Sequence, residues 1–259
     1  MPASRAANAH NSNMDEALAR HCMEINRCNQ RGGRMLSIFD LLDAESLDLD
    51  LAAFLMARVS RGTSFMVGAR PGGAGKTAVM CALLSLLPRD CDMMPATSST
   101  VCAATPAPRR CYVCHEIGSG PYFSYLWNAD LRAYCALSEQ GHILATNLHA
   151  DDLDEAREQV CGQNRVPEAH FNAFGLVLFL RVRGGYAARR HWIETVYASD
   201  GKIAHSPVFE AQRGLAPGLV SDPYATQCRA FLEKTHEQGV RLIEDTREAV
   251  AEFISANPQ

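Results

Sequence analysis

The sequence predicts an α/β protein: a parallel sheet sandwiched between helices, extended at one edge by antiparallel strands and closed by C-terminal helices. Three observations point there. Between residues 64 and 161, short apolar runs alternate with helix-length segments, the pattern of strands joined by right-handed crossovers. After Phe174, strand-like runs follow one another with only turn chemistry between them (Gly184-Gly185, then Ser199-Asp200-Gly201), as in an antiparallel edge. From Tyr224, apolar residues recur at helical spacing: Cys228, Phe231 and Leu232, then Val240 and Ile243, then Val250, Phe253 and Ile254.

Taken in order, residues 1–13 read as a frayed tail and residues 15–29 as an amphipathic helix ending near Gly32-Gly33. Ser46 is expected to cap a helix reaching Arg61, with Asp48 and Asp50 in its first turn and Gly62 beyond its end. Residues 64–69 form a buried strand, and residues 76–87 a helix stopped by Pro88. A short strand at 91–95 precedes a loop at 97–110 that is rich in Ser, Thr, Ala and Pro. A strand at 110–117, a helix at 122–138, a strand at 142–147 and an acid-capped helix at 152–161 complete the alternation. Strands at 176–183, 191–197 and 207–210 make the antiparallel edge, and residues 217–223 a linker. The expected division is 1–45 as tail and helix, 46–216 as the core, and 217–259 as a helical segment.

Bulk composition narrows the class. Apolar residues at 47% and charged residues at 21% suit a folded globular chain, and 259 residues allow one large core or two small ones. A net charge of −4 argues against a nucleic-acid footprint, which needs a basic excess or stripe. No run reaches about 18 uninterrupted apolar residues, so no membrane span is expected, and residues 1–13 hold no apolar signal core. The ten cysteines lie mostly in apolar runs such as Met80-Cys81-Ala82-Leu83 and read as reduced thiols acting as small hydrophobes.

The chemistry concentrates in three places. The first is the run Arg70-Pro71-Gly72-Gly73-Ala74-Gly75-Lys76-Thr77 between a strand and a helix. Gly72, Gly73 and Gly75 permit backbone angles that aim successive N–H groups into one concavity. The helix starting near Lys76 turns the positive end of its dipole to the same spot. Phosphate oxygens fit such a cradle: Lys76 can reach the β- and γ-phosphates, and the Thr77 hydroxyl can ligate Mg²⁺. Gly72, Gly73, Ala74, Gly75, Lys76, Thr77 and Ala78 are therefore the expected binding segment for a nucleoside triphosphate. Arg70 stands where the usual G-x-x-x-x-G-K-[ST] pattern has its first glycine.

The second is an apolar strand ending in Cys114-His115-Glu116-Ile117. A carboxylate at such a tip can orient or deprotonate a water, or hold Mg²⁺; a solvated strand end is the alternative. Cys111 and Cys114 fall on opposite faces of a strand, which opposes chelation and makes both core thiols. The third is Gly141-His142-Ile143-Leu144-Ala145-Thr146-Asn147-Leu148-His149, which delivers Thr146 and His149 to the same sheet edge. A polar side chain there can report whether a γ-phosphate is present, although His149 capping the next helix is an alternative.

In this order the motifs resemble the ATPases of type II and type IV secretion systems and pili. Residues 67–77 are similar to that family's Walker A, residues 111–117 to its Walker B with His115-Glu116 in place of the usual Gly-Glu, and residues 141–149 to its His box. The resemblance implies a RecA-like P-loop NTPase with a three-layer sheet. It implies ATP and Mg²⁺ as ligands, Lys76 and Thr77 holding phosphate and metal, Glu116 serving hydrolysis and the metal, and His149 sensing the γ-phosphate. It also implies a hexamer, membrane-associated secretion or pilus proteins as partners, and a cytoplasmic location, peripheral at the inner face of the membrane. Residues 1–64 are too few for the family's N-terminal domain, and no Asp box is evident between Lys76 and Glu116. A nucleotide-dependent interaction protein with little or no turnover is therefore the alternative. A small-molecule kinase is a third reading, for which Arg181, Arg183, Arg189 and Arg190 suggest a lid, although a solvated hairpin face explains them better.

Overall fold

The computed structural model describes residues 16–29, 32–184 and 189–258, so the tail expected at 1–13 lies outside the described residues. Helices α1 (Glu16–Arg27), α2 (Ile38–Asp43) and α3 (Leu49–Val59) lead into β1 (Phe65–Gly68). Then come α4 (Lys76–Leu84), β2 (Asp92–Pro95), α5 (Ser98–Cys102), β3 (Arg110–Ile117), β4 (Tyr125–Leu126), α6 (Asn128–Ala136) and β5 (Ile143–Leu148). Helix α7 (Leu153–Arg157) runs into a wider turn at Glu158–Gln163 and is followed by α8 (Glu168–Asn172). Strands β6 (Leu176–Arg183), β7 (Arg190–Ala198), β8 (Ser206–Glu210) and β9 (Gly214–Leu215) precede α9 (Pro217–Val220), α10 (Pro223–Glu237) and α11 (Ile243–Ala256).

These strands form one nine-stranded sheet in the order β2-β3-β5-β1-β6-β7-β8-β9, with β4 beside the end of β3. Strands β2, β3, β4, β5, β1 and β6 run parallel, and β7, β8 and β9 antiparallel. The protein is thus a mixed α/β fold with a mostly parallel sheet. Burial on both faces explains why β1 reads as an unbroken apolar run rather than an alternating one. Phe65 and Val67 face a core shared with α1, α2, α3, α4, α10 and α11, whereas Met66 faces one shared with α5, α6, α7 and α8. Cys111 and Cys114 divide between these two cores, as period-two alternation requires. Helix α3 is apolar all round because it is covered all round: Leu51, Phe54, Leu55, Met56 and Val59 are all buried.

Several element boundaries differ from expectation, each for a local reason. Asp48, not Ser46, caps α3, its carboxylate accepting from the Leu51 amide at 2.7 Å. The loop expected at 97–110 contains α5, because Thr97 and Thr100 form a reciprocal capping box. The helix expected at 122–138 begins only at Asn128. Residues 125–126 instead pair with Glu116 and Ile117, and Ser124 and Asn128 adopt left-handed backbone (φ 56° and 51°), which breaks a helix. Helix α4 ends at Leu84, three residues before the predicted stop. The linker expected at 217–223 holds α9 and the first residue of α10. Helices α2 and α8 and strand β9 had no counterpart in the sequence reading.

Candidate functional site

Strand β1 ends at Gly68, where the chain cannot carry a side chain: a Cβ there would lie 2.7 Å from the Ala150 carbonyl oxygen and the Phe179 ring. From this close crossing the chain enters the glycine-rich turn. Gly73 and Gly75 take positive φ (78° and 95°), conformations that favour glycine, whereas Arg70 does not. That is why an arginine is tolerated where the common pattern has glycine. The Arg70 amide donates to Asp151 Oδ1 at 2.9 Å, and its guanidinium pairs with Glu155, so the turn is tied to the segment after β5. On the other side, His191 Nδ1 donates to the Ala74 carbonyl at 3.1 Å from the start of β7.

Lys76, the first residue of α4, is buried. Its ammonium donates to the Ala69 carbonyl (3.0 Å) and to His149 Nδ1 (3.2 Å), and lies 3.3 Å from Glu116 Oε1. That last approach is an ion pair outside hydrogen-bond alignment, and Oε1 is a buried atom without a hydrogen-bond partner among the described residues. His149 Nε2 lies 3.8 Å from the same oxygen. Burial raises the Glu116 carboxyl above its ordinary value, outweighing the opposite pull of Lys76 and His149.

The orientation of Glu116 has a specific cause. Pairing of β3 with β5 steps from Cys114–Thr146 to Ile117–Leu148, so His115 and Glu116 together face the single residue Asn147. This bulge places both side chains on one cavity, where strict alternation would send them to opposite faces. Asn147 Nδ2 fills the irregularity by donating to the His115 carbonyl at 2.9 Å.

The cavity holds about 390 Å³ and is lined by every residue of the expected binding segment, Gly72 through Ala78, and by Glu116 and His149. Lys76, Glu116 and His149, scattered over three motifs in the sequence, meet here. Thr146 does not: it is fully buried, its hydroxyl donates to the Asn147 carbonyl, and it pairs in the ladder with Cys114 and Met66 of the opposite core. Cys28, Asn29, Arg34, Met35, Leu36 and Tyr125 also line the cavity and were missed. Cys28 and Asn29 close the helix predicted at 15–29 and residues 32–36 follow it without periodicity, so nothing in the sequence places them at this cavity. A larger hollow of about 990 Å³, floored by Leu42, Leu47, Trp192 and Phe209, shares no residue with it.

Among the described residues, no group of three or more His, Cys, Asp or Glu side chains is disposed to hold a metal ion by itself. The orphaned Glu116 oxygen does suit a cation shared with a bound anion. No helix among the described residues is long and apolar enough to cross a membrane.

A parallel sheet whose strand ends surround a glycine turn, a buried lysine and a buried carboxylate defines the class: a mixed α/β protein with its candidate site at the strand tips. No family model and no curated protein matches the chain. Among solved structures it is similar to the VirB11 ATPase from the Brucella suis type IV secretion system, determined in complex with sulphate. The identity is 17% and the TM-score 0.43, over 74% of this chain and 60% of that one. The chain therefore spans less than two thirds of that protein's length.

Proposed function

We propose that the cavity binds a nucleoside triphosphate with Mg²⁺ and hydrolyses it. The observation that carries this reading is the meeting of Lys76, Glu116 and His149 at the mouth of the glycine turn. Backbone amides from Gly72 to Ala78 cradle phosphate oxygens, aided by the α4 dipole. The Lys76 ammonium turns from Glu116 and His149 toward the β- and γ-phosphates. Mg²⁺, held by the Thr77 hydroxyl and Glu116, supplies neutralisation of phosphate charge when bound. Glu116, its carboxyl already biased toward proton acceptance by burial, orients and deprotonates the attacking water. His149, half exposed on the segment after β5, responds to loss of the γ-phosphate.

On the order of its motifs, we assign the chain to the kind of ATPase that serves secretion systems and pili. A hexameric ring and partners at the cytoplasmic face of a membrane follow from that assignment. The division into 1–45, 46–216 and 217–259 is kept with it. Glu116→Gln protein is expected to bind nucleotide while releasing no phosphate. Undiminished phosphate release by that variant would remove Glu116 from the reaction. One observation favours the second reading, a nucleotide-dependent interaction protein with little turnover: Asp92, an acid between Lys76 and Glu116 that suits an Asp box poorly, is exposed at the sheet edge, 3.7 Å from Arg20, and lines no part of the cavity. Tight binding with no phosphate release by the unaltered protein would decide for it.

A further inference from the structure

Tyr125 lines the site cavity and belongs to none of the three sequence motifs. It lies on β4, the two-residue strand beside the end of β3, where Tyr125 pairs with Glu116 and Leu126 with Ile117. Ile117 and Leu126 are both buried in the core shared with α5, α6, α7 and α8. Period-two alternation therefore turns Glu116 and Tyr125 together to the other face, the side of the cavity. The pair also flanks Gly118, where a Cβ would lie 3.5 Å from the Tyr125 ring and 3.7 Å from Glu116 Cγ. Buried bonds hold the segment in place. Ser124 is buried with left-handed backbone (φ 56°), its hydroxyl 2.7 Å from the Val113 carbonyl and 2.9 Å from the Ala96 carbonyl. Its own carbonyl accepts from the His115 amide at 2.8 Å, and the Tyr125 amide donates to the Tyr122 carbonyl at 3.3 Å. A strained residue so anchored fixes the direction of its neighbour. The Tyr122 ring packs on the Tyr125 ring with centroids 5.0 Å apart. The Tyr125 hydroxyl has no hydrogen-bond partner among the described residues, and neither has Glu116 Oε1.

We propose that the Tyr125 hydroxyl donates a hydrogen bond to the terminal phosphate of a bound nucleoside triphosphate and so makes the cavity prefer triphosphate over diphosphate. This rests on the reading of the cavity as a nucleotide site. Position decides which phosphate is touched. Strands β3 and β5 lie between β4 and β1, and β1 leads into the glycine turn. Amides of that turn and of the first turn of α4 hold the inner phosphates. Lys76, 3.3 Å from Glu116, spans the β- and γ-phosphates, so a group beyond Glu116 meets only the outermost one. A phenol suits the task, because its hydroxyl donates a short bond to a phosphate oxygen without adding charge beside Glu116.

The test is equilibrium binding of Mg²⁺-ADP, and of Mg²⁺ with the non-hydrolysable β,γ-imido analogue of ATP, to the folded, full chain. The unaltered protein is expected to bind the analogue more tightly than ADP. Tyr125→Phe keeps the ring on Tyr122 and removes only the hydroxyl. It should lose about tenfold in affinity for the analogue and nothing for ADP. Tyr122→Phe, on an exposed ring that does not line the cavity, should change neither. Equal losses for both nucleotides in Tyr125→Phe, or no loss for the analogue, would overturn the proposal and leave the nucleotide site standing. Should that variant fail to fold, equal affinity of the unaltered protein for the two nucleotides would overturn it as well. Binding of neither nucleotide by the unaltered protein would instead overturn the nucleotide reading, and the role of Tyr125 with it.

Discussion

Lys76 and Arg247 are both cations withdrawn from water, at 8% and 0% exposure, yet their surroundings differ in kind. Lys76 sits on a cavity and faces a carboxylate, a carbonyl and an imidazole. Arg247, on α11, is enclosed, with no carboxylate within ion-pair distance among the described residues. Its guanidinium donates to neutral acceptors instead: His21 Nδ1 at 3.2 and 3.0 Å and the Ser85 carbonyl at 3.4 Å. A cation balanced by a carboxylate on the cavity wall can exchange that partner for an incoming phosphate. A cation held by fixed neutral acceptors can only hold elements together, and Arg247 joins α1, the turn after α4, and α11. Burial lowers Arg247 to about 10, still protonated at neutral pH, and lowers His21 to about 4 with Arg247 adding to the effect.

Four substitutions or titrations sharpen or break this contrast. Lys76→Ala is expected to lower affinity for Mg²⁺-ATP on the order of 100-fold, from roughly 3 kcal/mol of lost charge pairing. Equilibrium binding of a fluorescent nucleotide checks it, with little change in melting temperature. Arg247→Ala should do the reverse. It leaves a cavity and two unsatisfied acceptors, a loss of roughly 3 kcal/mol or more in denaturant unfolding, while folded protein keeps its nucleotide affinity. Impaired affinity in that variant would erase the distinction between the two cations.

The third is a pH dependence. His21 stays neutral when folded and titrates near its ordinary 6.5 when unfolded. Below that value the unfolded chain therefore takes up a proton that the native protein refuses. Stability should fall between pH 6.5 and about 4, by roughly 3 kcal/mol in total. His21→Asn protein should lack that part of the slope in urea unfolding measured across the range. The smallest effect is expected from Arg70→Gly. Its ion pair with Glu155 is largely exposed and its φ needs no glycine, so stability should change by about 0.5 kcal/mol and nucleotide affinity hardly at all. A large gain in affinity would show that the arginine obstructs the turn.

Much of this was legible beforehand. Periodicity located β1, β3, β5 and the antiparallel edge, because buried strands and turn residues leave local marks. The residues that meet at the cavity were also readable, since Lys76, Glu116 and His149 each close a local motif. What lay beyond reach depended on distant partners. The bulge that aims His115 and Glu116 together depends on Asn147 across the sheet. Cys28 reaches the cavity only because α1 packs against elements far along the chain. The role of Arg247 rests on His21, 226 positions away, and no local pattern encodes such a pair. Helix α6 started late because Ser124 and Asn128 adopt left-handed backbone, which composition alone does not reveal.

Isothermal titration calorimetry of Mg²⁺-ATP into pure, folded protein tests the central claim most directly. A saturable heat from the unaltered protein, strongly reduced in Lys76→Ala, is the expected result. No heat from the folded protein, or equal heat from both, would contradict the assignment of the glycine turn and Lys76 to triphosphate binding.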